Sequence, residues 1–201
     1  RRADVAPLAV RMRPRTLDEV VGQAEAVGEG SWLSAAIEND TLSSVILFGP
    51  AGTGKTSLAH VIAESTKATF VEVSAIGGTV SDLRREIAEA ERRLVSGGLR
   101  TILFVDEIHR FNRSQQDALL HAVEDRLVVL IGATTENPFF EVNSALISRS
   151  RVVELHSLAD EEIARLVRRA VADERGLASC YALEEAACDA IVTLAGGDGR
   201  G

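Results

Sequence analysis

Aromatic residues make up only 4% of this 201-residue chain. Its core must therefore be built mainly from Val, Leu, Ile and Ala, a composition that suits a parallel sheet buried on both faces. Cysteine is scarce as well. Cys180 and Cys188 are the only two, and neither has a His or Cys neighbour at metal-ligand spacing, so both read as buried or idle thiols. Nothing here points to an oxidising compartment. No apolar run reaches the ~18–20 residues of a membrane span, and no secretory signal opens the chain, so the cytoplasm is the expected location. Net charge is −8, which excludes a surface that is basic all over. A local cluster of Lys and Arg could still hold nucleic acid. The chain opens on Arg1 and closes on Gly201 after a Gly-rich turn, as expected of a piece of a longer protein.

What is present has a clear order. Short apolar runs rich in β-branched residues recur at Val45–Phe48, Thr69–Val73, Thr101–Val105, Leu127–Ile131 and Arg151–Leu155, and they predict buried strands. Helical patterns fall around and between them. Thr16 is expected to cap a short helix through Leu17–Val21, and a second helix is expected at Trp32–Glu38. Leu83, Ile87, Ala90 and Leu94 repeat at helix spacing from Ser81 to Gly97-Gly98. Ser114 is expected to start another helix, with Asp117 as the reciprocal acid of a capping box. Alternating strands and helices predict a three-layer α/β fold around a parallel five-stranded sheet. From Ser157 onward only helical patterns remain, with an apolar stripe through Ile163, Leu166, Val167, Ala170 and Val171 and a second segment at about Glu184–Ala195. The expected division is therefore an α/β domain over 1–156 and a truncated helical domain over 157–201.

Gly49-Pro50-Ala51-Gly52-Thr53-Gly54-Lys55-Thr56 fits the phosphate-loop pattern G-x-x-x-x-G-K-[ST]. The apolar run before it and the helix after it are the context this pattern requires. Glycines at 49, 52 and 54 let backbone N–H groups, with those of Ala51 and Thr53, approach phosphate oxygens without a Cβ clash. Lys55 would carry charge to the β- and γ-phosphates, and the Thr56 hydroxyl would ligate Mg²⁺. Ser57 follows in the first helical turn, whose positive end adds to the site. The implied cofactors are ATP and Mg²⁺.

Ile102-Leu103-Phe104-Val105 runs into Asp106-Glu107. Ligands of parallel sheets bind at the carboxyl ends of strands. Asp106 is thus a candidate to face Mg²⁺ through coordinated water, and Glu107 to orient and deprotonate the attacking water. A nucleotide switch that did not hydrolyse would have no need of Glu107. After the next strand, Ala133-Thr134-Thr135-Glu136-Asn137-Pro138 places hydroxyls where they could reach the γ-phosphate.

Together these residues resemble the AAA+ superfamily. Leu8-Ala9-Val10-Arg11-Met12-Arg13-Pro14 and Leu17-Asp18-Glu19-Val20-Val21-Gly22-Gln23 resemble the adenine-pocket segment of its clamp-loader group, which implies base contacts from Arg13, Pro14, Val21 and Gly22. The stretch from Asp106 to Leu120, with Ile131 to Pro138, resembles more narrowly the replication-associated recombination protein A family, whose eukaryotic relative is the Werner-helicase-interacting ATPase. The resemblance implies that Thr135 is the polar sensor, with Thr134 as second choice. It implies that Arg149 is an arginine finger for a neighbouring subunit and Arg200 a second sensor arginine in the helical lid. It further implies a homo-oligomer, DNA with single-stranded or fork ends, a single-stranded-DNA-binding protein as partner, and a nucleoid-associated role in replication-coupled repair. His109 reads as structural or interfacial. Three positions depart from the family pattern. Val10 stands where Glu is usual, Asp125-Arg126 lacks the glycine that usually follows the acid, and Ile76-Gly77-Gly78-Thr79 is unusual.

Three alternatives stand beside this reading. A RuvB-type branch-migration motor shares Asp106-Glu107-Ile108-His109 but carries an extra hairpin before the sensor strand, and that interval is filled here. A clamp-loader subunit lacks Phe111-Asn112-Arg113-Ser114-Gln115-Gln116 in this form. A nucleotide-gated scaffold that recruits replication proteins would use hydrolysis only to reset itself.

Overall fold

Five strands form one sheet in the order β2-β3-β4-β1-β5, with every neighbouring pair parallel. They are β1 (Val45–Phe48), β2 (Thr69–Ser74), β3 (Thr101–Asp106), β4 (Val129–Thr134) and β5 (Arg151–Glu154). The computed structural model describes residues 6–28, 30–75 and 79–199. The helices are α1 (Leu8–Arg11), α2 (Ala24–Val27), α3 (Trp32–Glu38), α4 (Lys55–Glu64), α5 (Val80–Gly97), α6 (Arg113–Glu124), α7 (Pro138–Glu141), α8 (Ser144–Ser148), α9 (Asp160–Ala172) and α10 (Glu185–Ala195). The α/β architecture expected from the alternation is present.

Successive strand side chains point to opposite faces, and here both faces are covered. Val45, Leu47, Ile102, Phe104, Ile131 and Ala133 meet Leu33 of α3 and Leu58 and Ile62 of α4 on one side. Ile46, Leu103, Val105 and Leu130 meet Leu83 and Ala90 of α5 and Leu119 of α6 on the other. This double burial is why the strands read as unbroken apolar runs. Each fully buried Leu, Ile or Phe contributes about 1.5–3 kcal/mol relative to exposure, so the sheet centre is rigid ground for whatever its edges carry. Leu158, Ile163, Cys188 and Val192 form a separate small cluster between α9 and α10.

Several element starts differ from expectation, each because a cap lies elsewhere. Helix α5 is capped by Thr79 and starts at Val80, not Ser81. The Thr79 hydroxyl accepts the Asp82 N–H, and the Asp82 carboxylate accepts the Thr79 N–H. Helix α6 is capped by Asn112 with Gln115 reciprocating, not by Ser114 with Asp117, while Asp117 accepts from the Asn143 amide. Thr16 makes no capping bond, and Leu17–Glu19 forms a single 3-10 turn. The Glu19 carboxylate instead takes the Arg15 N–H and faces Arg169 and Arg175. Strand β4 begins at Val129 rather than Leu127, because the N–H groups of Leu127 and Val128 both close the end of α6 on the Ala122 carbonyl. Ile76, Gly77 and Gly78 lie outside the described residues.

Among the described residues no helix is long and apolar enough to cross a membrane.

Candidate active site

Because the sheet is parallel, β1, β3 and β4 deliver their carboxyl ends to one edge. Strand β1 leaves that edge as the loop 49–54 and returns as α4, so the first turn of α4 points its N–H groups and positive end at the same place. Gly52 and Gly54 sit at φ +75° and +92°, a left-handed conformation that a side chain disfavours. Lys55 is 8% exposed, and its ammonium donates to the carbonyls of Gly49 and Pro50 at 2.7 Å each. Its charge is thereby held over the loop. The Thr53 hydroxyl donates to the Pro50 carbonyl at 3.0 Å, bracing the same turn. Thr56 and Ser57 are half-buried beside Lys55, and Ala51 is exposed.

Asp106 ends β3, and its Oδ1 accepts the Glu107 N–H at 3.1 Å. Glu107 then adopts φ 53°, ψ 46°, a left-handed conformation uncommon for a side chain of its size. Its Oε2 lies 3.3 Å from His109 Nε2 and 3.9 Å from Arg110 Nε. On β4, which lies between β3 and β1, Thr134 pairs with Phe48, and its carbonyl accepts the Gly49 N–H at 3.2 Å. The Thr134 side chain is fully buried, 2.9 Å from His109 Nδ1. Thr135 follows at the strand tip, half-buried. Phosphate loop, paired acids and threonines are therefore gathered at one edge.

Other candidates lie apart. Arg149 precedes β5, so it sits at the amino edge of the sheet, about 13 Å away by the rise of a four-residue strand. Its guanidinium meets Glu124 at 2.6 Å and donates to the Ala145 carbonyl and the Ser148 hydroxyl at 3.1 Å each. A cavity of about 810 Å³ opens at that edge, lined in part by Arg100, Arg126 and Arg149. Arg200 lies outside the described residues. Arg13 is exposed and Pro14 half-buried, in a segment that Arg11 ties to the Gly176 carbonyl at 2.9 Å. Gly22, at φ +72°, lies against Leu158 and Glu162 of the lid.

Three participants were not singled out by sequence reasoning. Gln23 donates to the His156 carbonyl at 2.6 Å and the Thr53 carbonyl at 3.4 Å, and accepts the His156 N–H at 2.9 Å. It joins the amino-terminal segment to both the phosphate loop and the start of the lid. Asp198 packs against Gly52, and the Gly199 N–H donates to the Gly52 carbonyl at 3.1 Å. Glu124 is the partner of Arg149. Each contact spans elements distant in sequence, so no local pattern announces it. The lid is further held by Glu19, which pairs with Arg169 at 2.8 Å and Arg175 at 3.1 Å. Burial raises the Glu19 carboxyl, but hydrogen bonds from Arg175 and Arg15 and the charges of Arg169 and Arg175 outweigh it and leave the group lowered. The Arg175 hydrogen bond holds Asp173 down to about 2, and the same two acids raise Arg175.

A dinucleotide fold would present a different loop, whereas this edge presents the glycine-rich loop 49–54 with Lys55 beside Asp106 and Glu107. The family model for the ATPase family associated with various cellular activities (AAA) matches residues 45–158, more than half of the chain, and the chain belongs to that family. Within it, the chain sits with the replication-associated recombination protein A group. It is 48% identical to the Escherichia coli K12 protein of that name, over 96% of this chain and 44% of that protein. It is also 48% identical to an uncharacterized AAA domain-containing protein of Mycobacterium tuberculosis, over 97% of this chain and 43% of that one. The chain thus spans less than half the length of these relatives. Among solved structures, the Holliday junction branch migration motor RuvB of Thermotoga maritima superposes with a TM-score of 0.77 at 30% identity, covering 94% of this chain and 62% of that one.

Proposed function

We propose that this chain is the ATP-hydrolysing module of a replication-associated recombination ATPase that acts on stalled or gapped replication DNA. The observation that carries the reading is the convergence of Lys55, Thr56, Asp106 and Glu107 at one sheet edge, in a chain that belongs to the AAA family. Lys55 and the N–H groups of Ala51, Gly52, Thr53 and Gly54 hold the phosphates. Mg²⁺, held by Thr56 and Asp106, would neutralise charge on the β- and γ-oxygens. One Asp106 oxygen is committed to the Glu107 N–H, which leaves the other to face the metal. Glu107 takes the proton of the attacking water, and Thr135 orients the γ-phosphate or that water. Arg13, Pro14, Val21 and Gly22 wall the adenine, and Arg200 closes from the lid. The division at residue 156 lets 157–201 move as that lid.

Arg149 serves a neighbouring subunit, since the sheet's length separates it from its own phosphate loop. This reading makes the working form a homo-oligomer. DNA with single-stranded or fork ends and a single-stranded-DNA-binding protein are its proposed partners, at the nucleoid. The RuvB-type reading is weakened by the short 125–128 connection from α6 to β4, which holds no extra hairpin.

Nucleotide binding and hydrolysis by the assembled protein, measured with gapped, forked and single-stranded DNA, test the proposal. Lys55→Ala should abolish productive ATP binding. Glu107→Gln should keep binding and lower turnover by about 10²–10⁴, because the amide cannot accept the proton. Normal hydrolysis by the Glu107 variant would refute the assignment.

A further inference from the structure

Glu107, His109 and Thr134 form a continuous polar line behind the phosphate loop. His109 Nε2 lies 3.3 Å from Glu107 Oε2, and Nδ1 lies 2.9 Å from Thr134 Oγ1. Thr134 is fully buried. Its Oγ1 also accepts the Glu136 N–H at 3.0 Å and lies 3.2 Å from the Glu136 carbonyl.

Proton counting limits what this line can be. The Thr134 hydroxyl has one proton to donate, and a neutral imidazole has one N–H. If Thr134 donates to Nδ1, the ring proton is on Nε2 and points at the Glu107 carboxylate. The opposite tautomer would set the Nε2 lone pair against a carboxylate oxygen. A charged ring carries protons on both nitrogens, and the hydroxyl then turns to the Glu136 carbonyl. With the Thr134 hydroxyl donating to Nδ1, or with both ring nitrogens protonated, His109 Nε2–H faces Glu107 Oε2 across 3.3 Å.

We infer that His109 is a positioning residue for Glu107, tying the carboxylate to the tip of β4. The inference rests on the reading of Glu107 as the base. The left-handed backbone at Glu107 aims the side chain, His109 fixes Oε2, and Oε1 is presented to the water. Thr134 holds the ring from the other side. Its carbonyl accepts the Gly49 N–H and Thr135 follows it directly, so the line ends where the loop and the sensor threonine meet. A shift of the β4 tip is thus passed to the carboxylate through one rigid ring.

The test uses side chains that reproduce one ring nitrogen each. The amide of His109→Asn reaches the Nδ1 position and keeps Thr134, while that of His109→Gln reaches the Nε2 position and keeps Glu107. With assembled protein, His109→Asn should bind ATP like wild type yet lose about 10²-fold in kcat, the usual effect of misplacing a reacting group by about 1 Å. His109→Gln should recover most of that loss. Equal turnover of the Asn and Gln variants, or a loss confined to ATP affinity, would overturn the inference and leave His109 as packing. Glu107→Gln run in parallel separates the two levels. If it hydrolyses normally, the reading of the base fails and the inference falls with it.

Discussion

Gly52 answers two demands at once. Its φ of +75° is one that a side chain disfavours, and a Cβ built there runs into the Asp198 carboxylate. The first demand is written into the glycine spacing of the loop; the second is invisible locally, since it depends on how the chain's last turn packs. Gly52→Ala should therefore lower ATP affinity and destabilise the fold by about 1–2 kcal/mol from backbone strain, read as a fall in thermal midpoint. Adding Asp198→Ala should recover the part due to the clash while the strain persists. Full recovery would mean that the backbone conformation carries no penalty. The same divide runs through the whole site. Lys55, Thr56, Asp106 and Glu107 were legible because contiguous residues carry their chemistry and each adjoins a recognisable strand. His109 was not, because its approaches to Glu107 and Thr134 arise only in the fold.

At the level of elements, α6 shows why strand and helix existence could be read while their ends could not. Its apolar spacing announces the helix, but Asn112 and Ser114 are both good caps by type, and only the reciprocal Gln115 bond selects Asn112. Its far end is a Schellman closure. The Arg126 N–H bonds the Val123 carbonyl, and the Leu127 N–H bonds the Ala122 carbonyl. Arg126 occupies the left-handed position at φ 55°, where glycine is the usual residue. Pulling Leu127 and Val128 into that closure delays β4 to Val129. An Arg126→Gly variant should accordingly be more stable by about 0.5–1 kcal/mol, relief of strain less the entropy that glycine loses on folding. Chemical denaturation at constant m-value would register it as a higher midpoint; an unchanged or lower midpoint would mean that the Arg126 side chain contributes contacts that offset its strain.

For the whole molecule, the decisive property is the polarity of the sheet. Sequence alone indicated parallel strands, but not that β4 would insert between β3 and β1, which is what places Thr134 beside both the acids and the loop. Nor could it show the lid held by Glu19, Arg169 and Arg175 across about 150 residues. With all strands running one way, the phosphate loop lies at the carboxyl edge and Arg149 at the amino edge, paired with Glu124. An always-charged planar guanidinium suits a phosphate whose charge redistributes in the transition state, and on the proposed reading a neighbour's phosphate would take the place of Glu124 beside Arg149. In the proposed function each site is completed from the next subunit. Mixing Arg149→Ala with Lys55→Ala subunits tests it directly. Alone, the first should bind ATP normally but turn over about 10³–10⁵-fold slowly, and the second should fail to bind. Mixed, they should regain part of the wild-type rate, because an Arg149→Ala subunit keeps its own phosphate loop and receives Arg149 from a Lys55→Ala neighbour. No recovery of hydrolysis in mixtures shown to co-assemble would contradict the claim.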